Sequence, residues 1–184
     1  SINNDHFVVL IKSVFENPEV KYQSLERAFL NEINEKGLGL QSFTVVCHDK
    51  VCAQGFFKPY NADSPHVLYS MSKSVTSTAI GFAIDEGLIS LNDRVAEFFP
   101  EYPMSKRPFN RMLTIRMLLT MHSDKLITVL DEKGQKDWIA IFMGATFILP
   151  PHTKFNYISE NTFMLSAIIS KVTGMSVVDY LYPR

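Results

Sequence analysis

Cysteine is scarce and charge of either sign is nearly cancelled: two of the 184 residues are cysteine, and 18 basic side chains meet 19 acidic ones. Two cysteines cannot staple a domain of this size, so the fold has to rest on a hydrophobic core. Cys47 and Cys52 flank a hairpin turn and read as two free buried thiols, a bonded pair across the strands being the alternative. A net formal charge of −1 offers no general attraction to nucleic acid or to anionic lipid. No uninterrupted apolar run approaches the roughly 20 residues of a membrane span. The opening residues, Ser-Ile-Asn-Asn-Asp-His, carry no basic stretch leading into an apolar one, so this chain shows no export signal and its compartment stays open. The first residue is not Met, which points to a chain trimmed at that end. His6, His48, His66, His122 and His152 are scattered, and no Cys or His pair has zinc-ligand spacing, so a metal site has no support.

What is present is ordinary globular material, 46% apolar and 20% charged. The length suits one domain of about 100–200 residues with a sizeable core. A disordered chain would hold fewer apolar residues and more net charge. Neither an internal repeat nor a low-complexity segment is found.

Asp5 to Phe15 carries Phe7, Val8, Leu10, Ile11, Val14 and Phe15 at helical spacing, which predicts an amphipathic helix stopped near Asn17-Pro18. Tyr22 to Lys36 repeats the pattern through Leu25, Phe29 and Ile33, with Gly37 as the residue just past the helix end. Ser42–Cys47 and Val51–Phe57, two apolar or β-branched runs around a polar break at Asp49-Lys50, predict a hairpin. Two strands alone do not make a stable sheet, so the hairpin must lean on helices or on strands outside the chain. Ser70 to Glu86 is small or apolar nearly all round and predicts a helix buried on every side. Asn92-Asp93 should cap a short helix through Phe98-Phe99. Further helices are expected over Ile115–Met121, Asp137–Phe147 and Glu160–Val172, the last stopped by Gly174. The expected class is α+β. Residues 1–66 supply N-terminal helices and a hairpin, and residues 67–184 supply the Ser70 helix and a mainly helical region.

Two short patterns bear on chemistry. Ser70-Met71-Ser72-Lys73 is S-x-x-K at the start of a helix. Residues i and i+3 share a helix face, so the lysine amine reaches the serine hydroxyl. A serine needs a base to take its proton, and a desolvated lysine has a lowered pKa and can be that base. A helix N-terminus adds N–H groups and partial positive charge for a developing oxyanion. On residue frequencies alone the bare pattern recurs about once per chain of this length, and a Ser cap with an exposed lysine explains it equally well. Tyr157-Ile158-Ser159 is the second pattern. A tyrosine beside an ammonium can shuttle a proton, and Ser159 could bond the lysine or the substrate. Tyr22-Gln23-Ser24 matches the same spacing inside an ordinary helix, and Ser159 could merely cap the helix that follows.

Longer segments say more. Leu68-Tyr-Ser-Met-Ser-Lys-Ser-Val-Thr-Ser-Thr-Ala-Ile-Gly, Glu86-Gly-Leu-Ile-Ser-Leu-Asn-Asp-Arg-Val, Leu113-Thr-Ile-Arg-Met-Leu-Leu-Thr-Met and Pro150-Pro-His-Thr-Lys-Phe-Asn-Tyr-Ile-Ser-Glu-Asn, running on into Leu165-Ser-Ala-Ile-Ile-Ser-Lys-Val-Thr-Gly, stand in that order. Together they resemble the serine β-lactamase and penicillin-binding-protein superfamily, in its class C β-lactamase, D-alanyl-D-alanine carboxypeptidase and esterase branch. The resemblance implies that Ser70 is acylated, that Lys73 accepts its proton and that Tyr157 assists proton transfer. Ser159 falls where the family usually has Asn and takes a substrate-binding position. The implied substrate is a small molecule (a β-lactam, a D-alanyl peptide or an ester), with no metal or organic cofactor and no nucleic-acid partner.

Departures from the pattern also count. His122-Ser123-Asp124 stands where relatives commonly have a Ser-Gly turn, and Asp suits a positive φ less well than Gly. The family's later K-T-G or H-x-G motif does not occur. On this resemblance the chain looks like the N-terminal part of such an enzyme, a β-lactamase-like fold lacking its remaining strands. Residues 1–184 alone are then expected to hydrolyse feebly or not at all, and to associate with another chain through exposed apolar faces. The alternatives are a non-catalytic relative that binds or regulates, and an inactive fragment.

Overall fold

The structure is a computed structural model that describes residues 7–10, 29–33, 35–126 and 137–184. The chain divides into two compact units, Ser1–Val67 and Leu68–Arg184.

In the first unit the strands β1 (Phe7–Leu10), β2 (Ser42–Cys47) and β3 (Lys50–Phe57) form an antiparallel sheet in the order β1-β3-β2. β1 corrects the expected first helix over residues 7–10; the rest of Asp5–Phe15 lies outside the described residues. Phe7-Val8-Val9-Leu10 is an unbroken apolar run, which fits a helix face and a strand equally by period. Pairing decides between them: Phe7 to Leu10 take Phe57 to Gln54 as partners, making β3 the central strand. The hairpin therefore leans on a strand of its own chain.

The hairpin turn is His48-Asp49, one residue earlier than expected, with φ of 50° and 61°. Two positive φ values in a two-residue loop match the right-handed twist of the flanking strands. A bulge between Val45 and Val46 shifts the register, so that Cys47 is opposite Lys50 and not Cys52. Helical backbone at 29–33 and 35, here α1, lies within the expected second helix. Its end is closed by Lys36 N–H to Glu32 O and Leu38 N–H to Ile33 O. Gly37 there has φ +59°, a conformation that glycine alone adopts freely.

The second unit is helical and packs around α7 (Ser159–Thr173), which buries Met164, Leu165, Ile168 and Ile169. Against it lie α2 (Ser72–Asp85), α5 (Ile115–Leu119) and α6 (Trp138–Gly144), with α8 (Val177–Leu181) beyond. Short helices α3 (Val95–Phe98) and α4 (Pro108–Met112) close one side. Val95, Phe99, Leu113, Ile115, Leu118 and Phe142 fill the core between them. α2 is buried on one stripe only, through Thr76, Ala79, Ile80 and Ala83. The expected burial on every side is thus corrected. Val75 and Phe82 on its other face stay 44% and 37% exposed, because the neighbouring helices meet only the alanine stripe.

Caps follow the sequence in part. Thr114 caps α5 and Asp137 caps α6 by accepting the N–H groups of Met117 and Ala140. Gly174, at φ +71°, ends α7. Asn92-Asp93 does not cap α3: the N-cap is Arg94, and Asp93 accepts the N–H of Ser90 at 2.7 Å. α6 stops at Gly144 rather than Phe147, because Thr146–Phe147 (β5) pairs with Lys125–Leu126 (β4).

Candidate active site

Ser70 sits in a 3-10 turn, Tyr69–Met71, that leads into α2. Tyr69, just before it, has φ +46°, an uncommon conformation for an aromatic residue. The turn is closed by Ser72 Oγ, which donates to Tyr69 O at 2.6 Å. Lys73 follows one helical turn on, and its Nζ donates to Ser70 Oγ at 3.0 Å. The i,i+3 spacing is therefore realised as a direct contact.

Tyr157 comes from the loop before α7, and the Lys73 ammonium lies 5.1 Å from its ring centroid. Hydrogen bonding with Ser70, then with Lys73, holds the Tyr157 phenol below its ordinary range. The Lys73 charge adds to this, while partial burial opposes it. A phenol so placed ionises more readily than a free tyrosine and can take a proton from Ser70. The ring is 51% exposed, so solvent screens these effects.

The structure brings Ser70, Lys73 and Tyr157 together. Ser159 is not among the groups that perturb the Tyr157 phenol. It is the first residue of α7, whose N-cap is Ile158, so it is not the helix cap either. No group of three or more His, Cys, Asp or Glu that could hold a metal ion is found among the described residues. Nor, among them, is any helix long and apolar enough to cross a membrane.

Motif spacing missed what holds the loop carrying Tyr157. Residues 121–125 run alongside residues 148–156 and accept their hydrogen bonds. Ile148 N–H donates to Asp124 O at 2.8 Å, His152 N–H to His122 O at 2.9 Å, and Asn156 N–H to Met121 O at 2.8 Å. The Asn156 side-chain amide donates to Lys125 O at 3.0 Å. Asp124 Oδ2 accepts from both Thr153 N–H at 3.0 Å and Lys154 N–H at 3.2 Å. Asp124 itself has φ +56° and is 2% exposed. The only advance signal was the His122-Ser123-Asp124 departure, which marked the turn and not its purpose.

The chain is mixed α/β, with a serine–lysine contact at the head of a core-packed helix and a tyrosine beside it. A family model for beta-lactamase matches residues 27–184, and the chain belongs to that family. It is 26% identical over 156 residues to a 6-aminohexanoate-dimer hydrolase from Paenarthrobacter ureafaciens, covering 76% of this chain and 40% of that protein. It is 30% identical over 121 residues to penicillin-binding protein 4 of Amycolatopsis lactamdurans, covering 62% of this chain and 32% of that one. Among solved structures, a class C beta-lactamase superposes with a TM-score of 0.72 at 16% identity, covering 89% of this chain and 48% of that one. That last likeness is one of fold. The chain thus spans less than half the length of these relatives.

Proposed function

We propose that the full-length protein is a serine hydrolase that forms an acyl-enzyme with β-lactams, D-alanyl peptides or small esters. The contact of Lys73 Nζ with Ser70 Oγ at 3.0 Å, beside the phenol of Tyr157, is the observation that supports this reading most. Ser70 Oγ attacks the carbonyl carbon, and its proton passes to the Lys73 amine or to the ionised phenol of Tyr157. The C–N or C–O bond to the leaving group then breaks, and the leaving group takes that proton. Water hydrolyses the ester left on Ser70, returning the serine. The steps use side chains alone and call for no metal or organic cofactor. Ser159, two residues after Tyr157 and first in α7, serves as a substrate contact.

Intact-mass analysis after incubation with a β-lactam or a fluorophosphonate tests this. We expect one covalent adduct, absent in Ser70→Ala and falling at least about 10²-fold in rate in Lys73→Ala, the usual scale for a positioned base. A folded protein inert to every acylating probe would replace the hydrolase with a non-catalytic member of the family.

A further inference from the structure

We propose that Asp124 is the positioning residue for Tyr157, a role that rests on Tyr157 acting in the proposed hydrolase. The phenol ring is half exposed, so packing alone cannot fix where its oxygen lies. What precedes it in the chain is fixed instead. The backbone N–H groups of Thr153, Lys154 and Asn156 all end on residues 121–124, and Tyr157 follows Asn156 directly. One buried carboxylate oxygen takes two of those three donors.

The backbone at Asp124 shows that this side chain is used and not merely tolerated. Its φ of +56° is a conformation that glycine adopts freely and most side chains resist, with Asn and Asp the most tolerant. Glycine would relieve the backbone and leave the Thr153 and Lys154 donors without their acceptor. Aspartate keeps the turn and adds charge-assisted bonds, which are stronger than neutral ones. The adjacent lysine does not compete for it. Lys125 Nζ turns away, lying 4.0 Å from the Phe147 ring centroid and 4.8 Å from that of Phe142, and donates to Ala145 O. Freed from Asp124, the loop from Pro150 can move, and the Tyr157 oxygen leaves Ser70 and Lys73. Displacements of about 1 Å at reacting groups can cost 10²-fold in rate.

The test uses the full-length protein labelled with 13Cζ-tyrosine, the Tyr157 signal being assigned by Tyr157→Phe. Wild-type Tyr157 should titrate below its ordinary value. In Asp124→Ala it should return toward that value, and acylation by a fluorophosphonate should slow at least about tenfold. Asp124→Asn, which keeps an acceptor and tolerates the turn, should retain the wild-type titration and lose less than about threefold in rate. If Asp124→Ala does not fold, Asp124→Gly removes the same carboxylate with a relaxed backbone and should show the same losses. Amide exchange at Thr153 and Lys154 in the wild type should be slow. Fast exchange there, or a folded alanine or glycine variant with unchanged Tyr157 titration, would overturn the proposal. A wild type inert to all acylating probes would sink the hydrolase reading alone, because the titration would still decide whether Asp124 places the phenol.

Discussion

Lys125 offers a stability test that does not depend on catalysis. It is a lysine with no exposed surface, wedged between the rings of Phe142 and Phe147. Burial, aided by the nearby Arg107 charge, pushes its ammonium down from 10.5 to about 7. The rings and the Ala145 carbonyl favour the charged form, so desolvation outweighs them. In the unfolded chain the lysine holds its proton up to about 10.4. Between pH 7 and that value the unfolded state binds more protons than the folded one, so stability rises with pH across this window. Each pH unit there is worth about 1.36 kcal/mol. From pH 7.5 to 9.0 the gain attributable to Lys125 is therefore about 2 kcal/mol, or roughly 4–8 °C in Tm for a chain of this size. Lys125→Met keeps the length, stays neutral and can contact both rings through sulfur. Thermal unfolding by circular dichroism of the two proteins, at half-unit pH steps, reads the difference. The variant should be the more stable near pH 7, and its advantage should shrink by about 2 kcal/mol by pH 9. A constant gap across that range would show that Lys125 is charged in the folded protein and that burial does not govern it.

Two further outcomes are expected. The rate of acylation should climb with pH through a midpoint below about 10 as the Tyr157 phenol ionises, and stopped-flow acylation of Tyr157→Phe should lack that limb; an unchanged profile would remove Tyr157 from the proton path. Ile168→Ala, at a fully buried position of α7, should lose about 2–5 kcal/mol in urea unfolding, and a loss under about 1 kcal/mol would mean the core around α7 is less tightly packed than the burial implies.

Local chemistry carried the helical part of the fold. Thr114, Asp137 and Gly174 act as the start and stop residues their types suggest, because a cap needs only a side-chain acceptor or a tolerated φ within a few residues. Asp93 went elsewhere because the Ser90 N–H lies within its reach, a competition between two local donors that composition does not rank. Phe7–Leu10 and Thr146–Phe147 were misread as helix for a different reason. Each is a short stretch whose state depends on a strand remote in sequence, β3 for one and β4 for the other.

The candidate site divides along the same line. The sequence by itself determined the Ser70–Lys73 contact, because three residues along a helix fix that separation, and ordered motifs named Tyr157 as the third member. Only the tertiary structure decided that the Tyr157 phenol reaches the pair, and that Asp124, some thirty residues earlier in the chain, holds the loop that carries it. Likewise, Lys125 read from the sequence is an ordinary cation; burial, aided by the Arg107 charge, is what lowers its pKa to about 7. Spacing along one helix is set by covalent geometry. Desolvation and contacts between loops are set by what the folded chain brings alongside, and no local pattern records them.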